Sequence, residues 1–517
     1  MQHTQGKHQV VVVGAGPVGL LTAYLLRRMQ VQVTVIERHS MRSTQSKASS
    51  MNAYSLAIMD MVGLADAFVE QGMPIRDLLV YWNNRRTMHV NYRHLPTEYD
   101  YILGISQPET EAVLENAYRA VGGDLQRGCS VTALSQTEQG VEVALDDGRM
   151  LSCDFVVGCD GSRSTVRSLL DIDFEGSDFN VDFFMFDAHV SWDGARDNVH
   201  YFVREDSFFL IIPQAGGTHR VIIKASDGKV AQVQGDPLAY YQALTDRYGQ
   251  CGVRLERIIW ESNSRFYNRL ARHYAQGRVF LCGDACHLFS PVGGLGMNTG
   301  FQDAFNLAWK LAGVLDGSMS TSVLKTYEQE RRPVAQQMIA GTDANTRLIL
   351  RQDRDEAGSL KHWLPRMANR RHIATTLPMT FSGLGQRYQG EVQAAGGGRW
   401  VGHLLPYARL LTDQGVQSTY ALVQGGRFVL LAEGECPGDL RQYLEASGRV
   451  SIVRAIDNQV GSSKAMALLE GEALLVRPDG VVAVQAMLNE PHVFVRYLSR
   501  LLPALALNSS AEEPLQA

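Results

Sequence analysis

The chain begins with alternating strand-like and helix-like patterns of apolar residues. Val10 to Val13 form an uninterrupted β-branched run, which predicts a strand buried on both faces. Apolar residues then recur at helical spacing from Leu20 to Leu26, and a second apolar run, Val31 to Ile36, predicts another strand. Strand, helix and strand in this order predict a βαβ unit of a parallel sheet.

Three glycines and one acidic residue complete this unit. Gly14, Gly16 and Gly19 give the spacing G-x-G-x-x-G between strand and helix, and Glu37 follows the second strand. In such a unit the glycines allow a tight turn, a close approach of the backbone to a pyrophosphate, and packing of the helix on the strand. The carboxylate accepts hydrogen bonds from a ribose. The sequence therefore predicts a dinucleotide site, and this stretch suits NAD and FAD equally.

Further along, the pattern becomes purely strand-like. Asn52 to Val69 predicts a helix interrupted at Gly63, and Leu78 to Tyr92 predicts antiparallel strands. Residues 181 to 225 form long aromatic runs without helical spacing, so we expect an antiparallel sheet in a layer of its own. The aromatic residues that could line a substrate pocket there, although strand aromatics are more often core, are Tyr81, Phe183, Trp192 and Phe209.

The last third of the chain predicts a connector and a further domain. Residues 340 to 398 are helical and charged and then rich in glycine, which is typical of a connector. From Gly402 to about Leu505 there are strand-like runs, a hairpin around the turn R-P-D-G, and a final helix. About 100 residues of this pattern predict a small α/β domain.

Composition restricts the class of protein. A length of 517 residues suggests two to four domains, and a net charge of −5 argues against nucleic acid as a partner. No apolar run reaches the roughly 18 residues of a membrane span, and the polar start of the chain is unlike a signal peptide. Seven cysteines without a C-x-x-C motif fit reduced thiols in the cytoplasm. Cys282, Cys286 and His287 are better explained as buried residues around a turn, so no metal is expected.

A second glycine-rich stretch, from Gly283 to Gly300, follows a strand-like run, and a long helix is expected from about Gly300 to Leu315. Asp284 would present a carboxylate to a sugar-like hydroxyl group. Gly293, Gly294 and Gly296 would bring bare backbone N–H groups to a flat ligand, and the next helix points its positive end there. That arrangement stabilises negative charge, as on the N1–C2=O edge of a reduced flavin. It therefore favours FAD.

These motifs resemble those of the single-component FAD-dependent aromatic hydroxylases, the p-hydroxybenzoate hydroxylase superfamily. Gly14 to Gly19 with Glu37, D-G-S-x-S from Asp160, and G-D-A-x-H-x3-P from Gly283 occur in the family's order. The resemblance extends through Tyr327, Glu330, Arg331 and Pro333, and it covers at least residues 8 to 340. The unit after residue 400 is similar to the three-domain branch that contains phenol hydroxylase, hydroxyphenylpropionate hydroxylase and the aromatic-polyketide hydroxylases.

The resemblance implies both the chemistry and the partners. FAD would be the bound cofactor, NADPH or NADH the co-substrate, and a phenolic or polyketide-like aromatic compound the substrate. One oxygen atom of O2 would reach the ring through a C4a-hydroperoxyflavin, so the enzyme would be a flavoprotein monooxygenase. It could form a homodimer. Two alternatives stay open: a flavin-dependent dehydrogenase or oxidase, and a flavin-binding protein that acts on a biosynthetic intermediate without oxygen insertion.

The resemblance also implies roles for individual residues. The backbone of Pro291, Gly294 and Gly296 would border the reactive part of the flavin, with no side-chain acid or base assigned. Lys47 stands where relatives commonly have arginine. His287, beside the predicted ribityl chain, is expected to have a structural role. The residues expected to contact the cofactor are Gly14, Gly16, Pro17, Val18, Gly19, Glu37, Arg38, Lys47, Gln107, Arg119, Asp160, Gly161, Arg163, Gly283, Asp284, Pro291, Gly294, Leu295, Gly296, Met297 and Asn298.

The expected fold class is α/β with three domains. A Rossmann-like FAD-binding domain would comprise residues 1–75, 105–175 and 275–345. An inserted antiparallel-sheet substrate domain would comprise residues 76–104 and 176–274. A helical connector, 346–398, would lead to a thioredoxin-like domain, 399–517, in which Cys436 stands alone and no dithiol can form.

Overall fold

The architecture comes from a computed structural model of the chain. It describes residues 8–44, 48–194, 197–204, 207–224, 235–289, 294–350, 372–390, 397–457, 468–503 and 505. Within these ranges the protein has a mixed α/β fold with four sheets.

The first sheet carries the G-x-G-x-x-G motif. His8–Val13 pairs in parallel with Val33–Glu37 on one side and with Met150–Gly158 on the other. Helix Pro17–Arg28 connects the first two strands, so the predicted βαβ unit is confirmed. The carboxyl ends of parallel strands meet at one edge of a sheet, which is where ligands bind in such folds. The other strands of this sheet are Asp124–Arg127, Val131–Gln136, Val141–Leu145, Ala275–Gln276 and Val279–Leu281.

The second large sheet is mostly antiparallel, as the aromatic runs predict. One pair is parallel: Val199–Val203 lies beside Asp77–Trp82, from a distant part of the chain. Two strands of 18 residues each run side by side through the sheet. In spatial order the strands are His287–Leu288, Arg254–Ala271, Phe174–Ser191, Thr218–Lys224, Phe208–Pro213, Val199–Val203, Asp77–Trp82 and Arg85–Asn91.

Side chains alternate between two faces of this second sheet. Phe183 and Met185 lie on the face that packs into the same core as the first sheet, which we name the inner face. Phe184 and Phe186 lie on the outer face, in a separate cluster with helix Pro237–Leu244. The four aromatic residues that could line a substrate pocket therefore lie on different faces of the sheet. Phe183 is on the inner face, whereas the outer cluster contains Tyr81, Trp192 and Phe209.

The third sheet lies in the C-terminal part of the chain. Phe428–Glu433 and Val450–Asp457 pair in parallel, and Glu472–Val476 forms a hairpin with Val482–Met487 around the predicted turn. We call this part, residues 397–457, 468–503 and 505, the C-terminal unit. Its other elements are the strands Arg409–Thr412 and Gly415–Ser418 and the helices Thr419–Val423, Gly438–Ala446 and Pro491–Leu501.

Several further helices and a fourth, small sheet complete the fold. The predicted break at Gly63 is confirmed, because one helix ends at Met61 and the next begins at Ala65. The helix expected from Gly300 begins at Gly296 instead. These helices are Ala53–Met61, Ala65–Gln71, Gln107–Ala120, Thr165–Leu169, Gly296–Leu315, Lys325–Leu350 and Leu377–Phe381. The fourth sheet consists of the short strands Ser50–Met51, Ile102–Gly104 and Met73–Ile75, in this order.

The predicted connector, 346–398, overlaps the end of helix Lys325–Leu350. Its residues 351–371 and 391–396 lie outside the described residues. Among the described helices, none combines the length and the hydropathy that crossing a membrane requires.

A buried charge network joins the C-terminal unit to two long helices. Arg477 donates to both oxygens of Glu330 at 2.6 and 3.0 Å, and Lys310 Nζ donates to Glu330 Oε2 at 3.0 Å. Arg477 also forms an ion pair with Asp479, and Asn306 donates to Glu330 at 2.6 Å. These side chains are at most 3% exposed. Buried charges are tolerated only when partners surround them in this way.

We expect Glu330→Gln to make the fold less sensitive to acid. Burial alone would raise the pKa of Glu330, but Arg477 and Lys310 outweigh it and lower the pKa from 4.5 to about 2. Because the folded value lies below the unfolded one, ionised Glu330 stabilises the protein above about pH 4.5, and this contribution is lost as the pH falls towards 2.

Urea unfolding of both proteins at pH 6 and pH 3 measures this effect. The stability difference between the wild type and Glu330→Gln should be about 2 kcal/mol larger at pH 6 than at pH 3. The other carboxylates are common to both proteins, so their titration cancels in the comparison. A difference that is the same at both pH values would contradict the expectation.

Candidate cofactor site

The first glycine motif is shaped by close backbone contacts. Gly14 has φ +104°, and a Cβ there would lie 2.5 Å from the carbonyl oxygen of Cys159. A Cβ on Gly19 would overlap the carbonyl oxygen of Gly14, whereas one on Gly16 would have nothing within 4 Å. Gly16 is the N-cap of helix Pro17–Arg28, and no side chain caps that end. The helix therefore offers uncapped amide groups beside open space.

Glu37 holds the turn that follows its own strand. Its Oε2 accepts a hydrogen bond from the amide of Ala15 at 2.7 Å, and its Oε1 accepts one from the amide of His39 at 2.9 Å. Each carboxylate oxygen has a second lone pair, so both can still accept from a ribose. Glu37 borders a cavity of about 190 Å³ that Gly14, Gly16, Arg38, Asp160 and Gly161 also line.

Two further charged residues line this cavity, and the sequence did not identify either of them as a site residue. Arg127 ends the strand next to Glu37 and is paired with it in register. Glu111 also lines the cavity, and burial raises its pKa to about 7. Gln107 donates to Glu111 at 2.9 Å and its Oε1 accepts from the amide of Ala48 at 3.4 Å. The strand Asp124–Arg127 was the available signal, because recognising it would have placed Arg127 beside Glu37.

Asp160 closes the turn of the second motif. Its Oδ1 accepts from Ser164 Oγ at 2.5 Å, and its Oδ2 accepts from the amide of Val166 at 3.0 Å. Arg167 then links this motif to the third one, because it donates to the carbonyl oxygens of Ala285 at 2.9 Å and Ser162 at 3.0 Å. Sequence reasoning missed Arg167, although it follows the motif directly.

The first and third motifs meet at Val18. A Cβ on Gly283 would lie 3.0 Å from Val18 Cγ2, and a Cβ on Gly300 would lie 2.5 Å from the same atom. Val18 is in the first turn of helix Pro17–Arg28, and Gly300 is in helix Gly296–Leu315. The missing side chains therefore allow the two helices and the Gly283 turn to approach one another.

The second helix N-terminus also lacks a side-chain cap. Helix Gly296–Leu315 begins after Leu295, without a side-chain cap and without an acidic residue in its first turn. The exposed side chain of Asp284 points towards it, since Asp284 Oδ1 would lie 3.8 Å from a Cβ on Gly296. Gly294 has φ +65°, and a Cβ there would lie 3.1 Å from Ser50 Oγ. The site thus combines uncapped amides, which favour anions, with one exposed carboxylate.

Asn298 connects three segments at this end of the helix. Its Oδ1 accepts from the amide of Asn52 at 2.9 Å and from Ser55 Oγ at 2.7 Å. Its Nδ2 donates to the carbonyl oxygens of Ser50 at 3.2 Å and Gly294 at 2.7 Å. Because both ends of the side-chain amide are engaged, Asn298 would serve a ligand through its backbone.

His287 belongs to a buried ionic group. Its Nε2 is 2.6 Å from Asp303 Oδ2, and Arg331 Nε donates to Asp303 Oδ1 at 2.7 Å. Asp303 Oδ2 also accepts from the amide of Gly283 at 3.2 Å. Burial alone would raise the pKa of Asp303, but the neighbouring His287 and Arg331 lower it. These contacts support a structural role for His287.

The same cluster offers ligand atoms for a metal. Side-chain atoms of Cys286, His287 and Asp303 lie within 4.8 Å of one another. The guanidinium group of Arg331, fully buried against Asp303, places a fixed positive charge beside them. That charge opposes the binding of a second cation.

The other residues expected at the site differ in placement. Lys47, Pro291 and Gly293 lie outside the described residues. Arg119 is engaged with Glu115, with Nε 2.9 Å from Oε1, and it does not line the cavity. Arg163 is exposed, and Arg38 donates from Nε to His39 Nε2 at 3.2 Å. Pro17, Leu295 and Met297 occupy the two helix N-termini.

Comparisons with known proteins identify the family of the chain. A family profile described as "FAD binding domain" matches residues 7–342, and one described as "Aromatic-ring hydroxylase, C-terminal" matches residues 398–504. A rifampicin monooxygenase of Streptomyces venezuelae is 32% identical to this chain over 92% of this chain and 94% of the relative.

Solved structures of other proteins share the fold of this chain. An anhydrotetracycline hydroxylase from Streptomyces rimosus superposes with a TM-score of 0.81 at 29% identity, over 96% of this chain and 99% of that one. A Diels-Alderase of pyrroindomycin biosynthesis superposes with a TM-score of 0.74 at 28% identity, over 93% and 96% of the two chains.

Proposed function

The chain belongs to the FAD-binding aromatic-ring hydroxylases, and from that membership we propose that it hydroxylates a phenolic or polyketide-like aromatic compound. It is a FAD-dependent monooxygenase that uses NADPH or NADH and O2. One observation carries the site assignment: two uncapped helix N-termini and the exposed carboxylate of Asp284 meet at one edge of the first sheet.

The residues present fit FAD from end to end. The adenosine would occupy the cavity beside Glu37, and the pyrophosphate would lie in the open space at Gly16. Asp284 would accept a hydrogen bond from a ribityl hydroxyl, and the flavin ring would lie at Gly294 and Gly296. The uncapped amides of both helices support this placement, because they favour the negative charge of phosphate and of a reduced flavin.

When bound and reduced, FAD supplies the activation of O2 and the transfer of one oxygen atom. The chain's own residues position the reactants and exclude water. The inner face of the second sheet carries Phe183 and Met185 and lies towards the first sheet. Arg220 and Asp187 form a buried bidentate pair at 2.5 and 2.9 Å in this sheet, and Trp260 lies over the guanidinium group. We assign the aromatic substrate to this face.

The finer architecture is part of the proposal. We propose a Rossmann-like FAD domain at 1–75, 105–175 and 275–345, a substrate domain at 76–104 and 176–274, and a thioredoxin-like domain at 399–517. The six-stranded sheet with one parallel pair supports the last of these. A homodimer in the cytoplasm completes the proposal, and light scattering of the purified protein tests the dimer.

Isotope incorporation tests the proposed reaction. Candidate phenols and polycyclic aromatic compounds are screened for stimulation of NAD(P)H oxidation. The masses of the products formed under ¹⁸O2 are then measured by mass spectrometry. A hydroxylase gains one labelled oxygen atom per product. Reduction of FAD by the substrate itself, without label, identifies a dehydrogenase or oxidase.

The similarity to the Diels-Alderase favours a second candidate, a flavin-binding protein that rearranges its substrate without oxygen insertion. The same measurement separates it from a hydroxylase. This candidate predicts a product with the same mass as its substrate and no consumption of NAD(P)H.

Asp284→Ala should weaken FAD binding by about one to two orders of magnitude. A hydrogen bond to a charged group contributes roughly 1.5–3 kcal/mol, and 1.4 kcal/mol corresponds to about tenfold. A misplaced flavin should also release more hydrogen peroxide per NAD(P)H. Fluorescence titration of the apoprotein with FAD and the peroxide-to-product ratio measure both effects. Normal FAD affinity with abolished hydroxylation would instead identify Asp284 as a proton donor.

A further inference from the structure

Two arginines from different parts of the chain contact one tyrosine ring. The guanidinium carbon of Arg331 lies 5.4 Å from the ring centroid of Tyr388, and that of Arg477 lies 5.6 Å from it. Arg331 Nη1 also donates to the Tyr388 hydroxyl oxygen at 3.2 Å. All three side chains are at most 4% exposed. Contacts between a cation and an aromatic face are strongest when water is excluded in this way.

Each arginine is also held by carboxylates. Arg477 ion-pairs with Glu330 and Asp479, within the network described above. Arg331 donates to Asp303, whose other oxygen accepts from the amide of Gly283 at 3.2 Å. A continuous series of buried contacts therefore runs from the C-terminal unit to the Gly283–Asp284 turn.

Arg331 reaches the second helix N-terminus as well. Its Nη2 donates to the carbonyl oxygen of Thr299 at 3.2 Å, in the first turns of helix Gly296–Leu315. Glu330 and Arg331 are neighbours on helix Lys325–Leu350, so Arg477 holds one of them and Asp303 holds the other. Buried charged groups have few alternative partners, so a satisfied network of this kind fixes the position of every member.

The C-terminal unit has no evident means of carrying electrons. Cys436 is the single cysteine after residue 286, so an internal dithiol couple cannot form there. What this unit does offer the rest of the chain is a buried, charged contact that leads through Arg331 and Asp303 to the Gly283 turn.

We propose that Arg477 and Tyr388 are positioning residues for the flavin: through Arg331 and Asp303, the C-terminal unit fixes the Gly283–Asp284 turn and the N-terminus of helix Gly296–Leu315. This inference rests on the proposed function, because these two elements form the FAD site only if that function holds.

The test uses the full-length protein with four substitutions. Arg477→Met removes the cation, Arg477→Lys retains one charge, and Tyr388→Leu removes the ring but leaves every charge in place. Leu444→Ala is the control, because Leu444 is fully buried in helix Gly438–Ala446 of the C-terminal unit and its apolar side chain contributes no charge or hydrogen bond to the network. It lowers stability and leaves every charged group and the Tyr388 ring in place.

Three quantities are measured for each protein: the FAD dissociation constant, the hydrogen peroxide released per NAD(P)H, and hydrogen exchange of the apoprotein in peptides covering residues 279–289 and 294–305. Arg477→Met and Tyr388→Leu should weaken FAD binding at least tenfold, raise the peroxide fraction and accelerate exchange in both peptides. Arg477→Lys should recover part of each loss. Leu444→Ala should lower the melting temperature and leave all three quantities near the wild-type values.

Equal FAD affinity and equal exchange in Tyr388→Leu and Leu444→Ala would overturn the proposal, and this comparison decides even if Arg477→Met does not fold. A failure of the proposed function can be told apart from a failure of this proposal. If the wild type binds FAD but inserts no oxygen, the affinity and exchange data still decide on positioning. If the wild type binds no FAD, the exchange data alone decide whether Arg477 orders the turn.

Discussion

Gly16→Val should give a folded protein that no longer retains FAD. Gly16 has φ −73° and a Cβ there meets nothing within 4 Å, so neither the backbone nor a neighbour opposes a valine. That open space is, however, where the pyrophosphate would approach the uncapped helix. Losing two charged hydrogen bonds of roughly 1.5–3 kcal/mol each weakens binding by at least about 100-fold.

A matched glycine provides the control for this substitution. Gly341→Val also places a side chain in open space, at an exposed position of helix Lys325–Leu350 away from the motif. The two variants should have similar melting temperatures as apoproteins, and only Gly16→Val should fail to bind FAD in a fluorescence titration. Full flavin occupancy in purified Gly16→Val would show that the pyrophosphate lies elsewhere.

Asp303→Ala should lower the free energy of unfolding more than any other substitution proposed for this chain. The substitution leaves Arg331 and His287 without the carboxylate that both contact, and all three side chains are fully buried. Removing one partner from a buried ion pair typically costs about 3–5 kcal/mol. Gly283 loses the acceptor of its amide at the same time, so FAD binding should fall as well.

Urea unfolding of the apoprotein, compared with Asp303→Asn, measures this loss. Asparagine keeps the shape and one acceptor oxygen for Arg331, so its loss should be smaller than that of alanine. A stability loss below about 1 kcal/mol for Asp303→Ala would mean that water replaces the carboxylate and that the cluster holds nothing in place.

Local patterns in the sequence identified the elements that form from local interactions. The valine run at residues 10–13, the break at Gly63 and the hairpin around R-P-D-G each depend on neighbouring residues only, and each is confirmed. The observed start of helix Gly296–Leu315 differs from the predicted start, about Gly300, for a reason of the same kind. Glycine disfavours helix interiors, so the pattern placed Gly296 in a loop, whereas the structure uses it in the first turn.

Features that depend on distant partners left no such pattern. Alternation in a strand gives two faces but does not say which face meets the other sheet, so Tyr81 and Trp192 could not be separated from Phe183 beforehand. No local pattern shows that Asp303 and Arg331 meet Gly283, because that meeting depends on the packing of two helices on the turn. Arg127 joins Glu37 only through pairing of their strands.

The parallel pair in the second sheet has a consequence for folding during synthesis. Leu78 pairs with Val199, which leaves the ribosome about 120 residues, or roughly 6–24 seconds, later at typical rates of translation. During that interval the hairpin of Asp77–Trp82 and Arg85–Asn91 has an open edge, with unpaired backbone groups and apolar side chains such as Leu79. The nascent chain therefore passes through a period in which this edge is available to other chains, and faster expression at higher concentration should increase aggregation.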